Sequence, residues 1–249
     1  MYEQFAKKCK DKQLEYNELS KQLFLVKLSM AAPFSAVDHI RLDGLLAYQS
    51  LRHILGSDFY NLDPNKTTIE APLPLEKCEN DSEQWWWACS FGAYHLDYKA
   101  LSTWKKRWDD QHDSLVKFPE KRKPRIDHKA GFFKAYSMPL VVRGAKEIVF
   151  CGYGNIIEVK KILTGVTHIG KKRSQGYGRV SKIEVKETSD KWYCWTEDKQ
   201  ATRAIPISKT KIRELSQGSI VAVNMAYRPP YWKRDNYAMC YQIAEKITR

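Results

Sequence analysis

The apolar-rich run Gln22–Met30 (QLFLVKLSM) reads as a first strand, closed by Pro33 because proline removes a ladder donor. Ahead of it, Met1–Ser20 is studded with Lys and Glu and reads as a charged helical or frayed lead-in. Behind it, Ile40, Leu42, Leu45, Leu46, Leu51, Ile54 and Leu55 recur at helical spacing, with Asp38 as N-cap. Gly56 ends that helix, where glycine takes left-handed backbone at little cost. Asp58–Gln84 is polar and proline-broken, an irregular insertion. Trp85–Tyr94 (WWWACSFGAY) is expected to be a strand. Lys99–Lys134 holds 11 Lys/Arg against 5 Asp/Glu around the run KRKPR at Lys121–Arg125, and Pro119 and Pro124 break any helix there. Lys146–Tyr153 is a further strand, and Asn155 caps a short helix, Ile156–Leu163, ended by Gly165. A glycine-rich stretch, His168–Val180, runs into Ser181–Thr188, which alternates as a strand does. Lys191–Trp195 with Ala201–Ile205, and Ser219–Tyr227 with Tyr237–Ile243, are expected to form two hairpins.

The order strand, helix, strand, strand, helix, strand predicts an α+β chain with a ferredoxin-like, RRM-like βαββαβ core. The lead-in occupies residues 1–21, the core 22–188 with a basic insertion at about 97–136, and the hairpin extension 189–249. Helices on one face of such a sheet leave the other free, the face that RNA-recognition domains use.

Charge narrows the class of partner. The 249 residues carry 42 Lys+Arg against 29 Asp+Glu, a net charge of +13 with pI about 9.3, which favours a polyanion. Aromatic residues make up 12% and include 8 Trp and 14 Tyr, material for base stacking as well as for a core. No apolar run approaches the ~20 residues that span a bilayer, and Met1–Ser20 has no apolar signal core, so the expected location is the cytoplasm, away from membranes. The six cysteines show no C-x-x-C spacing and no histidine three to five residues away, so neither a metal nor a cofactor is expected, and the thiols read as buried.

Gly170, Gly176 and Gly178 bracket Lys171, Lys172, Arg173, Ser174 and Gln175, with Tyr177 between the last two glycines. Glycines permit positive φ and close approach, while successive cations and their amides attract phosphates. The order of a P-loop is missing, and a strand rather than a helix follows, so neither an NTPase nor a dinucleotide site fits. An ordinary solvated basic turn is the alternative. The spacing h-G-x5-G-h-G-x-h between a helix and a strand resembles the glycine-rich loop of the RAMP superfamily of CRISPR RNA-binding proteins. HIRLDGLLAY (His39–Tyr48) and AYRPPYW (Ala226–Trp232) are similar to the type IV subunit related to the binder of the crRNA 5′ handle.

This resemblance implies a noncatalytic subunit that caps a crRNA-guided effector complex, grips the 5′ handle and helps position target DNA for interference. It implies as partners crRNA, a repeated backbone subunit, a large-subunit-like protein and a RAMP processing endonuclease, with target DNA and a DinG-like helicase beyond them. It makes the basic insertion a thumb. The residues expected to meet RNA are Lys171, Lys172, Arg173, Gln175, Gly176, Tyr177 and Arg179 of the loop. Lys121, Arg122, Lys123, Arg125, Lys129, Phe132 and Phe133 of the thumb join them, with Arg228, Tyr231 and Trp232 near the C-terminus. Two other functions are open: a metal-independent repeat endoribonuclease drawing on His39, Tyr48, His95, His128 or His168, and a general basic RNA-binding domain. No spacing enforces convergence of two histidines, so no catalytic residue is expected. Asp109, Asp110 and Asp113 read as a charged helix face.

Overall fold

The computed structural model describes residues 2–36, 39–62, 68–118, 126–208 and 221–244. It is a mixed α/β chain with antiparallel sheets. The lead-in is a regular helix, α1 (Tyr2–Glu18), that buries Phe5, Cys9 and Tyr16. Its Gln13 amide donates to the Leu73 carbonyl at 3.2 Å and accepts from the Leu73 N–H at 2.9 Å, so a side chain imitates a strand partner.

Strand β1 (Gln22–Met30) spans the residues expected and turns Phe24, Val26 and Leu28 into the core. It lies between β6 (Glu147–Gly154) and β7 (Val180–Glu187), antiparallel to both. Two helices, α2 (Leu42–Leu55) and α3 (Ile156–Leu163), share one core with the inward residues of these strands, including Leu42, Leu46, Ile148, Phe150, Val159, Ile162 and Val185. Asn155 caps α3 as read from the sequence, its Oδ1 accepting from the Glu158 N–H at 3.0 Å. The N-terminus of α2 differs: Arg41 is the capping position and has no side-chain cap, while Asp38 lies outside the described residues. Gly56 ends α2 at φ 57°.

Two further expectations are corrected. Trp85–Tyr94 is not one strand. Only β3 (Trp85–Trp87) is regular, paired with β2 (Lys77–Glu79), and the chain then follows β6 through isolated bridges at Cys89–Gly152 and Ala93–Val149. Both faces of β6 are already buried there, and an irregular path lets Phe91 turn into a second core with Trp86, Ala204, Ile205, Tyr227, Cys240 and Ile243. The first C-terminal hairpin is reduced to a Trp195–Ala201 bridge, because residues 205–207 pair with β9 (Tyr237–Tyr241) and Ala201 with Ile243 instead. The second hairpin, β8 (Ala222–Ala226) with β9, forms. The basic excursion also carries regular structure that was not foreseen: β4 (Tyr98–Lys106) and β5 (Tyr136–Gly144) make a nine-pair antiparallel ribbon.

The sheet face opposite the helices carries Lys27, paired with Glu147 at 2.8 Å and Glu184 at 3.7 Å, and the Cys151 thiol on it donates to the Asp190 carbonyl. Lys182 and Lys186 contact the same Glu184 at 3.1 and 3.6 Å, so three lysines on this face lie against two glutamates. No helix among the described residues is long and apolar enough to cross a membrane.

All six cysteines are free thiols. Burial pushes Cys9 up to about 11 and Cys151 and Cys240 up to about 12, while a hydrogen bond with Cys194 chiefly lowers half-buried Cys78. Since the thiolate is the nucleophile, iodoacetamide at neutral pH is expected to alkylate Cys78 first and the other thiols only on unfolding. Time-resolved peptide mass spectrometry measures this order; early labelling of Cys151 or Cys240 would contradict it.

Candidate nucleic-acid interface

The glycine-rich loop is held at its base by a bridge between His168 and Arg179 and by the Ile169 N–H donating to the Gly178 carbonyl at 2.9 Å. It then seats itself on the segment after β1. The Lys171 N–H donates to Ser35 O at 2.7 Å, the Gly178 N–H to Pro33 O at 2.8 Å, and the Ala31 N–H to Arg179 O at 2.8 Å. Two glycines make this possible. A Cβ on Gly170 (φ 75°) would stand 2.3 Å from Ser35 O, and one on Gly178 (φ 70°) 1.9 Å from Ile169 O. The close approach that the glycines permit is thus to the chain's own backbone. The N–H groups of Lys171, Gln175, Gly176 and Gly178 are committed to protein carbonyls, and the side chains of Lys171, Arg173, Gln175 and Arg179 are exposed.

Gly176 has φ 87° but open space around its α-carbon, so alanine there is expected to cost about 1 kcal/mol from backbone strain alone. Gly178→Ala adds a backbone collision and is expected to cost at least about 2–3 kcal/mol. Urea unfolding of the two variants measures the difference; equal losses would mean that the Ile169–Gly178 approach relaxes freely.

The loop meets the ribbon. The Lys172 ammonium lies over the Trp104 ring of β4, and Tyr177 Oη is 3.4 Å from Ser102 Oγ. On the other side the Arg173 guanidinium lies 5.0 Å from the Tyr48 ring centre on α2, with Arg52 5.7 Å from the same ring. Desolvation, and secondarily the Lys171 charge, hold the Lys172 ammonium below the ordinary lysine range.

Strand alternation puts Ser102, Trp104 and Lys106 on one face of the ribbon, opposite Leu140, Met138 and Tyr136. Trp104 and Tyr136 touch with ring centres 4.7 Å apart. Lys106 donates to the Phe132 carbonyl and lies over the Phe132 ring, and Phe132, 81% exposed, abuts Phe133, which packs on Trp108 at 4.6 Å. The result is a run of rings and cations along one face. Lys129 is exposed near its end. Lys121, Arg122, Lys123 and Arg125 lie outside the described residues. Trp104, Lys106, Trp108, Tyr136 and Arg52 were not singled out in the sequence, and Tyr48 was considered only as a nuclease candidate. The period-two series Ser102, Trp104, Lys106, Trp108 was the signal available for the ribbon.

The RPPYW residues engage other partners. Arg228 lies over Trp85 at 4.2 Å, with Lys77 over the same ring at 4.1 Å, and its Nε donates to Asn236 Oδ1 at 3.1 Å. Trp232 is 59% exposed. Tyr231 donates from Oη to Asp43 Oδ1 at 2.6 Å, and Arg41 stacks on its ring at 4.0 Å. Asp43 also holds Arg203 at 3.0 Å, both carboxylate and guanidinium being fully buried. Arg203 donates further to the carbonyls of Trp87, Cys89 and Tyr227. Burial first, and the Asp43 charge second, push the Tyr231 hydroxyl well above its usual range, so it remains a donor. This buried network joins the HIRLDGLLAY and RPPYW motifs and was not foreseen.

His39 stacks on Phe91 at 5.2 Å, His168 lies 3.1 Å from the Thr167 hydroxyl, and His128 pairs with Asp110 at 3.5 Å. Among the described residues no cluster of His, Cys, Asp or Glu is arranged to hold a metal.

The family profile described as "CRISPR type IV associated protein Csf3" matches residues 24–243. No curated protein sequence matches the chain. Among solved structures, a chain from "Cryo-EM structure of the Type III-B Cmr-beta bound to cognate target RNA" is similar at a TM-score of 0.33 and 10% identity. The alignment covers 72% of this chain and 64% of that one, so the chain spans less than two thirds of that neighbour's length.

Proposed function

Since the chain belongs to the CRISPR type IV associated Csf3 family, we propose that it is the noncatalytic crRNA-binding subunit that caps a type IV effector complex and grips the 5′ handle of the guide. The observation that carries this reading is the convergence of the glycine-rich loop on the ribbon. Lys172 meets Trp104 and Tyr177 meets Ser102 across about 70 residues of sequence, and cations alternate with rings along the composite surface. Phosphates suit the cations and unpaired bases suit the rings, the combination by which single strands are held. The lysines of the open sheet face, Lys27, Lys182 and Lys186, all lie beside Glu184, whereas Lys171, Lys172 and Arg173 of the loop have no carboxylate partner among the described residues, which favours the loop-and-ribbon edge for the polyanion.

On this reading the sheet β6–β1–β7, with the bridged segment along β6 and helices α2 and α3 on one face, is the ferredoxin-like core. The ribbon is the thumb that separates handle from spacer-facing nucleotides, and the subunit helps position target DNA for interference. Its neighbours are a repeated backbone subunit, a large-subunit-like protein and a processing endonuclease. The noncatalytic assignment is supported by the separate engagements of His39, His128 and His168. The test is to sequence the RNA that copurifies with the assembled complex and to incubate the protein alone with repeat RNA and EDTA. A uniform short guide and intact repeat RNA are expected. A discrete product ending in a 2′,3′-cyclic phosphate would replace the binding-only reading with the endoribonuclease.

A further inference from the structure

Lys172 and Trp104 stand out from the other contacts of the interface. Lys106, the other cation on this face, is anchored: its ammonium donates to the Phe132 carbonyl and lies over the Phe132 and Tyr136 rings. Lys172 has no ion-pair partner among the described residues, and its ammonium rests on the indole of Trp104. Its backbone is left-handed at φ 58°, a conformation uncommon outside glycine, with Gly170 on one side and Gly176 on the other. The indole is in turn braced by Tyr136 at an interplanar angle of 58°. A flat ring braced by a neighbour and overlain by a cation with no ion-pair partner among the described residues is a position that a base can take.

We propose that Trp104 is a base-stacking position capped by Lys172 in the free protein. RNA binding exchanges the two: one unpaired base of the strand takes the indole, and the released ammonium pairs with the adjoining phosphate. This rests on the guide-binding reading and adds to it a site for one base and a defined movement of one side chain. Magnitudes favour the exchange. A cation over an aromatic ring is worth about 2- to 5-fold in an equilibrium at an exposed site and about 30-fold when desolvated, and this half-buried pair lies between the two. A base stacked on an aromatic side chain is worth about 5- to 150-fold. The displaced ammonium, moreover, does not go unpaired: it gains a phosphate and releases a counterion.

The test compares two fluorescein-labelled probes of equal charge, each about twelve nucleotides long to fill one single-strand site. One is oligoadenylate and the other an abasic ribose-phosphate strand; affinity and its salt dependence are measured for each. Wild type is expected to prefer oligoadenylate by about 5- to 150-fold. Trp104→Ala is expected to lose that preference with the salt slope unchanged, because stacking releases no counterions, while Trp104→Phe retains most of it and controls for folding. Lys172→Ala is expected to keep the preference and lose about 0.7 from the slope, the value for one phosphate on a single strand. A base preference that survives Trp104→Ala would overturn the stacking position, and an unchanged slope in Lys172→Ala would overturn the exchange, while the guide-binding reading stands in both cases. Failure of wild type to bind either probe would overturn the guide-binding reading and this proposal together.

Discussion

Replacing Arg203 by alanine is expected to cost about 3–5 kcal/mol, a large part of the ~5–15 kcal/mol that stabilises a typical domain. The side chain is 0% exposed, and Asp43, its partner at 3.0 Å, is 1% exposed. Removing the guanidinium leaves a buried carboxylate with the Tyr231 hydroxyl and the Gly44 N–H as donors, and takes a donor from the carbonyls of Trp87, Cys89 and Tyr227 besides. The loss falls on the joint between the first core and the second, since Trp87 and Cys89 belong to one side and Tyr227 to the other. Asp43→Asn in the Arg203→Ala background removes the uncompensated charge and is expected to recover part of the loss. The two variants are therefore non-additive by about 0.5–3 kcal/mol. Urea unfolding of the two single variants and the double measures this coupling. Additive losses would mean that the pair is screened by water and that Arg203 acts through packing.

The second large effect is on binding. Converting Lys171, Lys172 and Arg173 together to alanine is expected to weaken guide RNA by about 100-fold at physiological salt and to lower the salt slope by about 2. Lys171 and Arg173 are exposed, and the loop backbone that positions them is fastened to residues 31–35 through amides and carbonyls that these substitutions leave in place. The fold is therefore expected to survive, which separates this result from that of Gly178→Ala. Fluorescence anisotropy across a salt series, with circular dichroism as the folding control, gives both numbers. Unchanged affinity and slope in a folded variant would place the guide elsewhere on the molecule.

Different parts of the chain were legible to different degrees. Strand β1 and helix α3 stood within a residue of their expected bounds, because each is specified locally: apolar side chains facing one core, and an Asn155 cap that reaches only three residues ahead. Trp85–Tyr94 was misjudged for the opposite reason. Its aromatic content satisfies a strand, but a strand needs a regular partner, and Phe91 turns to a second core that residues from beyond position 194 complete. The ribbon was missed because charge and proline in its distal part masked alternation in its arms.

For the candidate site, the loop's glycines and cations were readable from spacing, and so was membership of a CRISPR-associated family, since three short motifs carry it. Tyr231 was grouped with the RNA-facing residues, yet its hydroxyl closes a buried network 188 positions away at Asp43. Composition alone, at +13, pointed to a polyanionic partner, and local periodicity alone indicated the main helices and the first strand. Those properties depend on the residues themselves or on neighbours within a few positions. Tertiary structure alone decided that the loop abuts the ribbon, that Lys172 covers Trp104, and that Arg203 and Asp43 lock the C-terminal segment to α2 across 160 positions. Such contacts depend on which distant surface each segment buries against, and no local period encodes that choice.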